Sequence, residues 1–118
     1  MSDHRRTLGV QGEAAAAAWY RHGGYEVVAS NWRCRDGELD LVLQRDRLLV
    51  VCEVKTRSSN AFGGGAEAVD WRKQMRVRRL GARFLSEHDL RPAGVRFDVA
   101  VVMPSAHGFA VEVIEAAF

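Results

Sequence analysis

The stretch GELDLVLQRDRLLVVCEVKT, residues 37–56, decides the fold of this chain of 118 residues. Its first part, residues 38–44, alternates charged or polar side chains with apolar ones, and its second part, residues 48–55, is a nearly continuous apolar run rich in valine. Alternation is typical of a β-strand with one buried face, and a short apolar run is typical of a strand buried on both faces. The two strands are predicted to form a hairpin that turns around Arg45-Asp46.

Four charged side chains of this hairpin are predicted to share one face: Glu38, Asp40, Glu53 and Lys55. The prediction rests on the geometry of a strand, in which successive side chains point to opposite faces. In the first strand, Leu39 and Leu41 are therefore predicted to lie together on the other face.

The register of the hairpin decides whether the charged residues of the two strands meet. A two-residue turn at Arg45-Asp46 would place Asp40 opposite Val51 and Glu38 opposite Glu53. A slip of one residue would separate the charged side chains and would also exchange the apolar faces of the strands, so the apolar pattern disfavours it.

Turn residues and apolar spacing predict the remaining elements. An alanine-rich helix ends at Gly23-Gly24, and a strand, the hairpin, a second helix and two further strands follow it. Residues 31–37 are predicted to be irregular and the glycine-rich residues 58–65 to form a mobile loop. On the fourth strand, Arg96 and Asp98 share a face and are expected to form a structural ion pair. The predicted bounds are residues 8–22 and 68–88 for the helices and 25–30, 96–103 and 109–114 for the other strands.

These elements predict an α/β fold, a mixed sheet flanked by helices in the order αβββαββ. The length is that of one domain, so residues 1–118 are expected to form a single domain. A crossover through the second helix would allow a parallel pair of strands beside the antiparallel hairpin.

The composition excludes several classes of protein. Apolar residues make up 47% and charged residues 27% of the chain, which is the balance of an ordinary globular protein. No apolar run approaches the roughly 20 residues that a membrane-spanning helix needs. The polar N-terminus lacks the pattern of a secretion signal, and Cys34 and Cys52 are isolated, as expected of reduced thiols. The chain is therefore expected to be cytoplasmic, without a membrane partner.

The carboxylates of the hairpin favour a bound divalent cation. Carboxylates gathered at the end of an apolar strand would repel one another and lose hydration unless a cation offset both penalties. Asp40 and Glu53 offer the hard oxygen ligands that Mg²⁺ or Mn²⁺ prefers, and such an ion can activate water toward a phosphodiester. Lys55 would orient that water or stabilise developing charge, and Glu13 on the first helix could add a ligand. The simpler alternative is an exposed Glu53–Lys55 ion pair that contributes little.

The second helix carries a dense basic cluster with no carboxylate in it: Arg72, Lys73, Arg76, Arg78, Arg79 and Arg83. This pattern fits a helix that faces phosphates, and it fits an ordinary solvated helix face equally well. Among the 17 basic side chains, Lys55 and Lys73 are the only lysines. Lysine would be retained where a compact ammonium group is needed instead of a planar guanidinium group.

Taken together, these residues resemble the YraN-like family of small bacterial proteins, within the PD-(D/E)XK nuclease superfamily. The shared pattern is an acidic residue followed by Glu-x-Lys on consecutive strands, after a helix that carries a glutamate. The matching segments extend over most of the chain: Gly12-Glu13, Asn31-x-Arg33, Gly37-Glu38-Leu39-Asp40-Leu41, Glu53-Val54-Lys55-Thr56-Arg57, Phe62-Gly63 and Lys73-Gln74. The resemblance implies a restriction-endonuclease-like fold, akin to that of archaeal Holliday-junction resolvases.

The resemblance also implies a function, an endonuclease that uses Mg²⁺ or Mn²⁺ to cleave structured or branched DNA. Asp40 and Glu53 would be the metal ligands, Lys55 the catalytic lysine and Glu13 the acid carried by the helix. Glu38 fits the family motif and would be an extra ligand or support the others. The side chains expected to contact nucleic acid are Arg57, Arg72, Lys73, Arg76 and Arg79. Arg57 could equally pair with a nearby carboxylate. Resolvase-like relatives imply a homodimer.

Two other functions fit the same residues. A nucleic-acid-binding module that keeps the fold without catalysis would bind in a salt-sensitive manner and release no products. A protein-interaction or dimeric structural protein would instead use an exposed sheet edge or apolar patch to recruit a partner or a second copy of itself.

Overall fold

The computed structural model describes residues 3–57 and 69–118 of the chain. The bounds of its elements are α1 Asp3–His22, β1 Glu26–Cys34, β2 Gly37–Arg45, β3 Leu48–Thr56, α2 Trp71–Glu87, β4 Gly94–Ser105 and β5 Gly108–Ile114. The α/β class and the predicted order αβββαββ are confirmed. The loop predicted at residues 58–65 and the predicted start of the second helix at residue 68 lie outside the described residues. Neither described helix is long and apolar enough to cross a membrane.

The five strands form one mixed sheet in the order β1-β2-β3-β4-β5. β3 and β4 run parallel, and the other neighbouring pairs are antiparallel. A parallel pair requires a crossover connection, and α2 lies in the connection between β3 and β4. The parallel pair that the sequence predicted is therefore confirmed.

Two apolar cores cover the two faces of the sheet. α1 packs on one face through Tyr20, and α2 packs on the other through Phe84. β3 contributes to both cores, with Val50 and Cys52 on the α1 side and Leu49 and Val51 on the α2 side. This double burial explains why the sequence of β3 is a continuous apolar run instead of an alternating one.

The β2–β3 hairpin turns one residue later than predicted. Arg45 pairs with Leu48, so the two turn residues are Asp46 and Arg47. Asp46 has a φ of 54°, a left-handed conformation that aspartate adopts more readily than most residues because its short side chain can bond locally. The turn is therefore centred where an aspartate can occupy its left-handed position.

This later turn changes the register by two residues. Val42, not Asp40, lies opposite Val51, so the predicted pairings of Asp40 with Val51 and of Glu38 with Glu53 are wrong. A shift of two residues preserves the alternation of faces, whereas a shift of one would reverse it. The prediction from apolar faces thus excluded the odd shifts but could not distinguish between the even ones.

β1 continues through a segment that the sequence predicted to be irregular. The strand reaches Cys34, and its pairing with β2 continues on both sides of Asn31. Asn31 has a φ of 51°, so this residue adopts a left-handed conformation within the strand without ending it, and the register shift of β1 lies between Val27 and Ala29. α1 likewise begins at Asp3, several residues before the predicted start.

Asp98 joins α1 to the sheet through a buried polar network. Its carboxylate is fully buried and accepts a hydrogen bond of 2.7 Å from the hydroxyl of Tyr20 on α1. The Arg96 guanidinium group donates to both carboxylate oxygens at 2.8 and 2.9 Å, and the backbone N–H of Ala116 donates at 3.1 Å. The predicted structural pair of Arg96 and Asp98 is confirmed, and its carboxylate is fully satisfied, as a buried charge requires.

α1 also makes a very close approach to the end of β3. A Cβ atom added at Gly12 would overlap the Thr56 hydroxyl and lie 2.9 Å from the Thr56 Cγ2. Only glycine fits this crossing without a shift of the helix or the strand. The contact matters for the site described below, because Glu13 is the next residue of α1.

We predict that Gly12→Ala destabilises the protein, by about 1–3 kcal/mol, because the added methyl group overpacks the α1–β3 contact. Gly9→Ala is the matched control on the same helix, since a Cβ atom there meets nothing within 4 Å. That variant should gain up to about 1 kcal/mol from the better helix propensity of alanine. Urea denaturation measures both changes. Thr56→Ala should partly rescue Gly12→Ala, and equal stabilities of the two alanine variants would contradict the predicted contact.

Tyr20→Phe is predicted to lower the free energy of unfolding by about 1.5–3 kcal/mol, the usual contribution of a hydrogen bond to a charged group. Tyr25→Phe is the control, because the Tyr25 hydroxyl contacts the partly exposed Arg96 at 3.1 Å instead of Asp98. Thermal and urea unfolding should therefore show a smaller loss for Tyr25→Phe, and a loss equal to or larger than that of Tyr20→Phe would count against Asp98 as the anchor of α1.

Candidate active site

Asp40 lies where β2 separates from β3. The last pair of this ladder joins Leu41 to Cys52, and beyond it the Asp40 carboxylate accepts a hydrogen bond of 2.8 Å from the backbone N–H of Val54. A side-chain oxygen thus replaces the backbone acceptor that a continued ladder would supply. Burial raises the pKa of the Asp40 carboxyl group above its ordinary value, and the bond from Val54 opposes that rise.

Glu53 is the least satisfied charged group in the described part of the chain. It is only 3% exposed, and its Oε2 atom is buried without a hydrogen-bond partner. Its Oε1 atom lies 3.5 Å from the Nζ atom of Lys73. Burial, followed by the charge of Asp40, raises the pKa of the Glu53 carboxyl group to about 7. A buried oxygen without a partner costs free energy, so this position favours a ligand that the carboxylate can bind.

Both lysines of the chain lie near Glu53, and Lys73 is the one that contacts it. Lys55 follows it by two residues on the same strand, and burial together with the proximity of Lys73 lowers the pKa of the Lys55 ammonium group to about 8. Lys73 comes from the first turn of α2, where the Asp70 side chain caps the helix by accepting from the Lys73 backbone N–H at 2.9 Å. Lys73 was predicted to contact nucleic acid, and the structure places its ammonium group against Glu53.

Glu38 is not the cross-strand partner of Glu53 that the predicted register required, but it lines one cavity together with Asp40 and Glu53. Leu39 packs in the core on the α2 side, whereas Leu41 packs in the core on the α1 side, so the prediction that these two leucines share a face is wrong. Regular alternation fails at Asp40, where β2 leaves β3 and Asn31 of the facing strand adopts a left-handed conformation. Glu38 instead forms an ion pair of 2.8 Å with Arg33 of β1.

Glu13 approaches the same region from α1. Burial raises the pKa of its carboxyl group, the nearby Asn31 side chain opposes that rise, and the charges of Asp40 and Glu38 add to it. These electrostatic effects show that the carboxylates are close enough to interact. Glu13 and Asn31 also line a cavity of about 270 Å³ between α1 and the first two strands.

A second cavity of about 240 Å³ lies directly over Asp40 and Glu53. Its wall on the α2 side includes Lys73, Arg76 and Leu80. The carboxylates of Glu38, Asp40 and Glu53 therefore border an open space that Lys73 and Arg76 also line, which is a suitable environment for a metal ion or a phosphate group.

The carboxylates present fit a hydrated Mg²⁺ or Mn²⁺ ion better than a fully protein-ligated ion. Within residues 3–57 and 69–118, no three His, Cys, Asp or Glu side chains converge as a metal-binding group. Mg²⁺ is commonly held by one or two carboxylates, with water and substrate phosphate completing its six ligands. Asp40 and Glu53 provide two carboxylates of this kind, and the unpartnered Oε2 atom of Glu53 is available as a ligand.

The predicted nucleic-acid contacts lie around this centre. Arg57 is an exposed residue directly after β3, and no carboxylate of the described residues lies within 4.0 Å of its guanidinium group. Arg72, Arg76 and Arg79 are exposed on α2, and Arg76 borders the cavity over Glu53. These three arginines are thus solvated, and Arg76 is also near the carboxylates.

Two contributions to the site were not predicted from the sequence. The role of Lys73 beside Glu53 could have been suspected, because it is one of two lysines among 17 basic residues. Asn31 was read as a turn residue, and only its position in an Asn-x-Arg motif indicated another role. Its position beside Glu13 depends on contacts between α1 and β1, which no local pattern contains.

The comparisons with known proteins agree on one family. The family described as "Uncharacterised protein family UPF0102" matches residues 12–102. A UPF0102 protein of Frankia casuarinae is 52% identical and covers 94% of this chain and 95% of its own, and one of Frankia alni is 55% identical over 80% and 79%. A UPF0102 protein of Moorella thermoacetica is 43% identical over the full length of both chains. The chain belongs to the UPF0102 family.

Proposed function

We propose that this chain is a nuclease that depends on Mg²⁺ or Mn²⁺ and cleaves phosphodiester bonds of DNA. The observation that carries the proposal is the Glu53 carboxylate, which is buried next to Asp40 and has one oxygen without a partner among residues 3–57 and 69–118. A purely structural carboxylate would be satisfied by neighbours, as Asp98 is. An ion-binding carboxylate would instead leave an oxygen for the ligand.

Asp40 and Glu53 would hold the metal ion. When bound, the ion would supply a water molecule of lowered pKa and would neutralise charge on the phosphate. Asp40 is suited to this role because the Val54 N–H fixes one of its oxygens at 2.8 Å, which restricts the orientation of its carboxylate. Glu53 is suited to it because Oε2 has no competing donor among the described residues.

Lys55 and Lys73 would act on the phosphate side of the reaction. Ammonium groups next to a phosphodiester stabilise the negative charge that develops on its oxygens. Lys55 has a lowered pKa of about 8 and could exchange a proton near neutral pH. Lys73 balances the charge of Glu53 at 3.5 Å, and substrate phosphate could attract it away from that carboxylate. Glu13 would orient water from the α1 side.

DNA as the substrate is supported by the basic helix and by the resemblance to PD-(D/E)XK nucleases. The guanidinium groups of α2 offer contacts to phosphates without base readout. A structured or branched substrate rests on the resemblance to Holliday-junction resolvases alone, and so does a homodimer. The UPF0102 relatives carry no functional name that assigns a substrate.

We predict that the purified protein cleaves DNA with Mn²⁺ or Mg²⁺ and not with a chelator. Glu53→Gln and Lys55→Ala should each lower the rate at least about 100-fold, in line with the loss of one group that stabilises a transition state. Glu26→Gln is the matched control, because Glu26 is an exposed carboxylate at the far end of β1. Gel assays would compare a labelled four-way junction with a duplex of the same sequence.

The same assay distinguishes the alternative functions. Cleavage that survives in both site variants would contradict the proposed site and indicate a contaminating nuclease. Salt-sensitive binding without products under every metal would favour a non-catalytic nucleic-acid-binding module. Absence of both binding and cleavage would favour an interaction protein. Circular dichroism of each variant shows whether the loss of rate reflects a loss of folding.

Metal binding has a separate predicted signature in thermal unfolding. A ligand that binds only the folded state stabilises it by about 2.7 kcal/mol at 100 times its Kd, so Mn²⁺ should raise the Tm of the wild type. Glu53→Gln removes a buried charge that has one oxygen without a partner among the described residues, so its Tm in chelator should equal or exceed that of the wild type. Its response to Mn²⁺ should be lost, whereas Glu26→Gln should respond like the wild type. An equal Tm increase in all three proteins would indicate that Mn²⁺ binds elsewhere.

A further inference from the structure

Another cavity adjoins the one over Asp40 and Glu53. It has a volume of about 350 Å³ and lies between α2 and the turn that joins β1 to β2, with Asp36 on the turn side. Arg76 and Leu80 line both cavities. The two spaces therefore lie side by side along α2, and together we call them the α2 groove, defined by Asp40, Glu53, Arg76, Arg79 and Asp36.

Four arginines of α2, two of which are Arg76 and Arg79 of the α2 groove, fall on one side of the helix. Arg72, Arg76, Arg79 and Arg83 are spaced by four, three and four residues, which places them in one row along an α-helix. Arg78 lies outside this row and instead stacks on Phe97, with its guanidinium carbon 4.8 Å from the ring centre. The row is thus distinct from the arginine that α2 uses for packing.

The members of this row differ in their partners. Arg83 bonds Asp36 across the groove at 3.0 Å and Glu87 on its own helix at 2.6 Å, so its charge is balanced and it fixes the turn against α2. In the part of the chain that the structure describes, no carboxylate lies within 4.0 Å of Arg76 or Arg79. Two solvated guanidinium groups therefore line the groove between the carboxylate site and the Arg83–Asp36 pair.

We propose that Arg76 and Arg79 bind the backbone phosphates of a DNA strand that runs along the α2 groove, away from the phosphodiester held at Asp40 and Glu53. The binding of a phosphodiester at Asp40 and Glu53 rests on the proposed function. Guanidinium groups bind phosphate oxygens with paired hydrogen bonds. The strand would approach the Arg83–Asp36 pair, where the β1–β2 turn closes the groove.

The dimensions of the row favour a polynucleotide over a small anion. From Arg72 to Arg83 the helix rises by about 16 Å, which corresponds to about five nucleotides along one strand of B-form DNA. A free phosphate ion or a mononucleotide would occupy only one part of this length. Because guanidinium contacts to phosphates do not read bases, the groove would bind without sequence preference.

Binding experiments without metal test the α2 groove independently of cleavage. Fluorescence anisotropy in chelator would follow a short fluorescein-labelled single strand and a duplex of the same length as KCl is raised, in the Glu53→Gln background. The double variant Arg76→Ala/Arg79→Ala should weaken binding at least about tenfold and lower the slope of log affinity against log salt by about 1.5, because each phosphate contact contributes about 0.7–0.9.

Arg91→Ala is the matched control for loss of positive charge. Arg91 is highly exposed and lies in the connection between α2 and β4, at the other end of the sheet. The slope of log affinity against log salt for Arg91→Ala should equal that of Glu53→Gln alone. An unchanged slope in the double variant would overturn the proposal. So would a decrease in Arg91→Ala, which removes one charge, that is half the decrease of the double variant, which removes two, since binding would then follow overall charge. The substituted residues are exposed, so the variants should fold, and comparing the Tm of each variant with that of the Glu53→Gln background verifies this.

Failure of the groove and failure of the nuclease proposal give different results. If the wild type cleaves DNA while the double variant binds with an unchanged slope, the groove is wrong and the nuclease proposal stands. If no metal supports cleavage while the double variant loses affinity and slope, the groove stands and the nuclease proposal fails. Displacement of the labelled strand by inorganic phosphate at constant ionic strength would also contradict a site built for a polynucleotide.

Discussion

The buried carboxylate of Glu53 is the group on which the arrangement of the site depends. It lies near the end of β3, a strand covered on both faces, where water cannot solvate a charge well. Asp40 from β2, Lys55 from β3 and Lys73 from α2 surround this carboxylate. The separation of β2 from β3 after Leu41 creates the space in which these charges meet. The point at which the β2–β3 pairing ends thus determines where the carboxylates of Asp40 and Glu53 lie.

The buried carboxylates on the two faces of the sheet differ in how many hydrogen-bond partners they have. On the α1 side, Asp98 has no exposed surface and receives hydrogen bonds from Tyr20, Arg96 and Ala116. Glu53 has one lysine contact and one unpartnered oxygen. The stability of the fold can therefore depend on Asp98, while Glu53 remains available for a ligand. This division agrees with the general finding that incompletely satisfied charged groups occur at functional sites.

Much of the fold could be predicted from the sequence, because its local signals are strong. The apolar run of β3 identified the doubly buried strand, and the position of α2 after it indicated the parallel pair. The two-residue error in the hairpin register had a physical cause. Alternation of faces excludes a shift by an odd number of residues, and the turn residue, here Asp46, selects among the remaining registers. The residues of the site were harder to place. Asp40 and Glu53 come from one hairpin, whereas the positions of Lys73 and Asn31 depend on how α2 and α1 pack, which no sequence window contains.

The parallel pairing of β3 with β4 also bears on the order in which the molecule assembles. The β1–β2–β3 meander joins residues close in sequence, whereas β4 can add to β3 only after a long connection that contains α2 has closed. Closing a longer loop costs more entropy and slows folding. Asp40 and Glu53 would therefore be brought together early, and Lys73 would reach them only with the docking of α2. Until α2 docks, Lys55 is the only lysine near the two carboxylates, so their mutual repulsion is only partly balanced until Lys73 arrives.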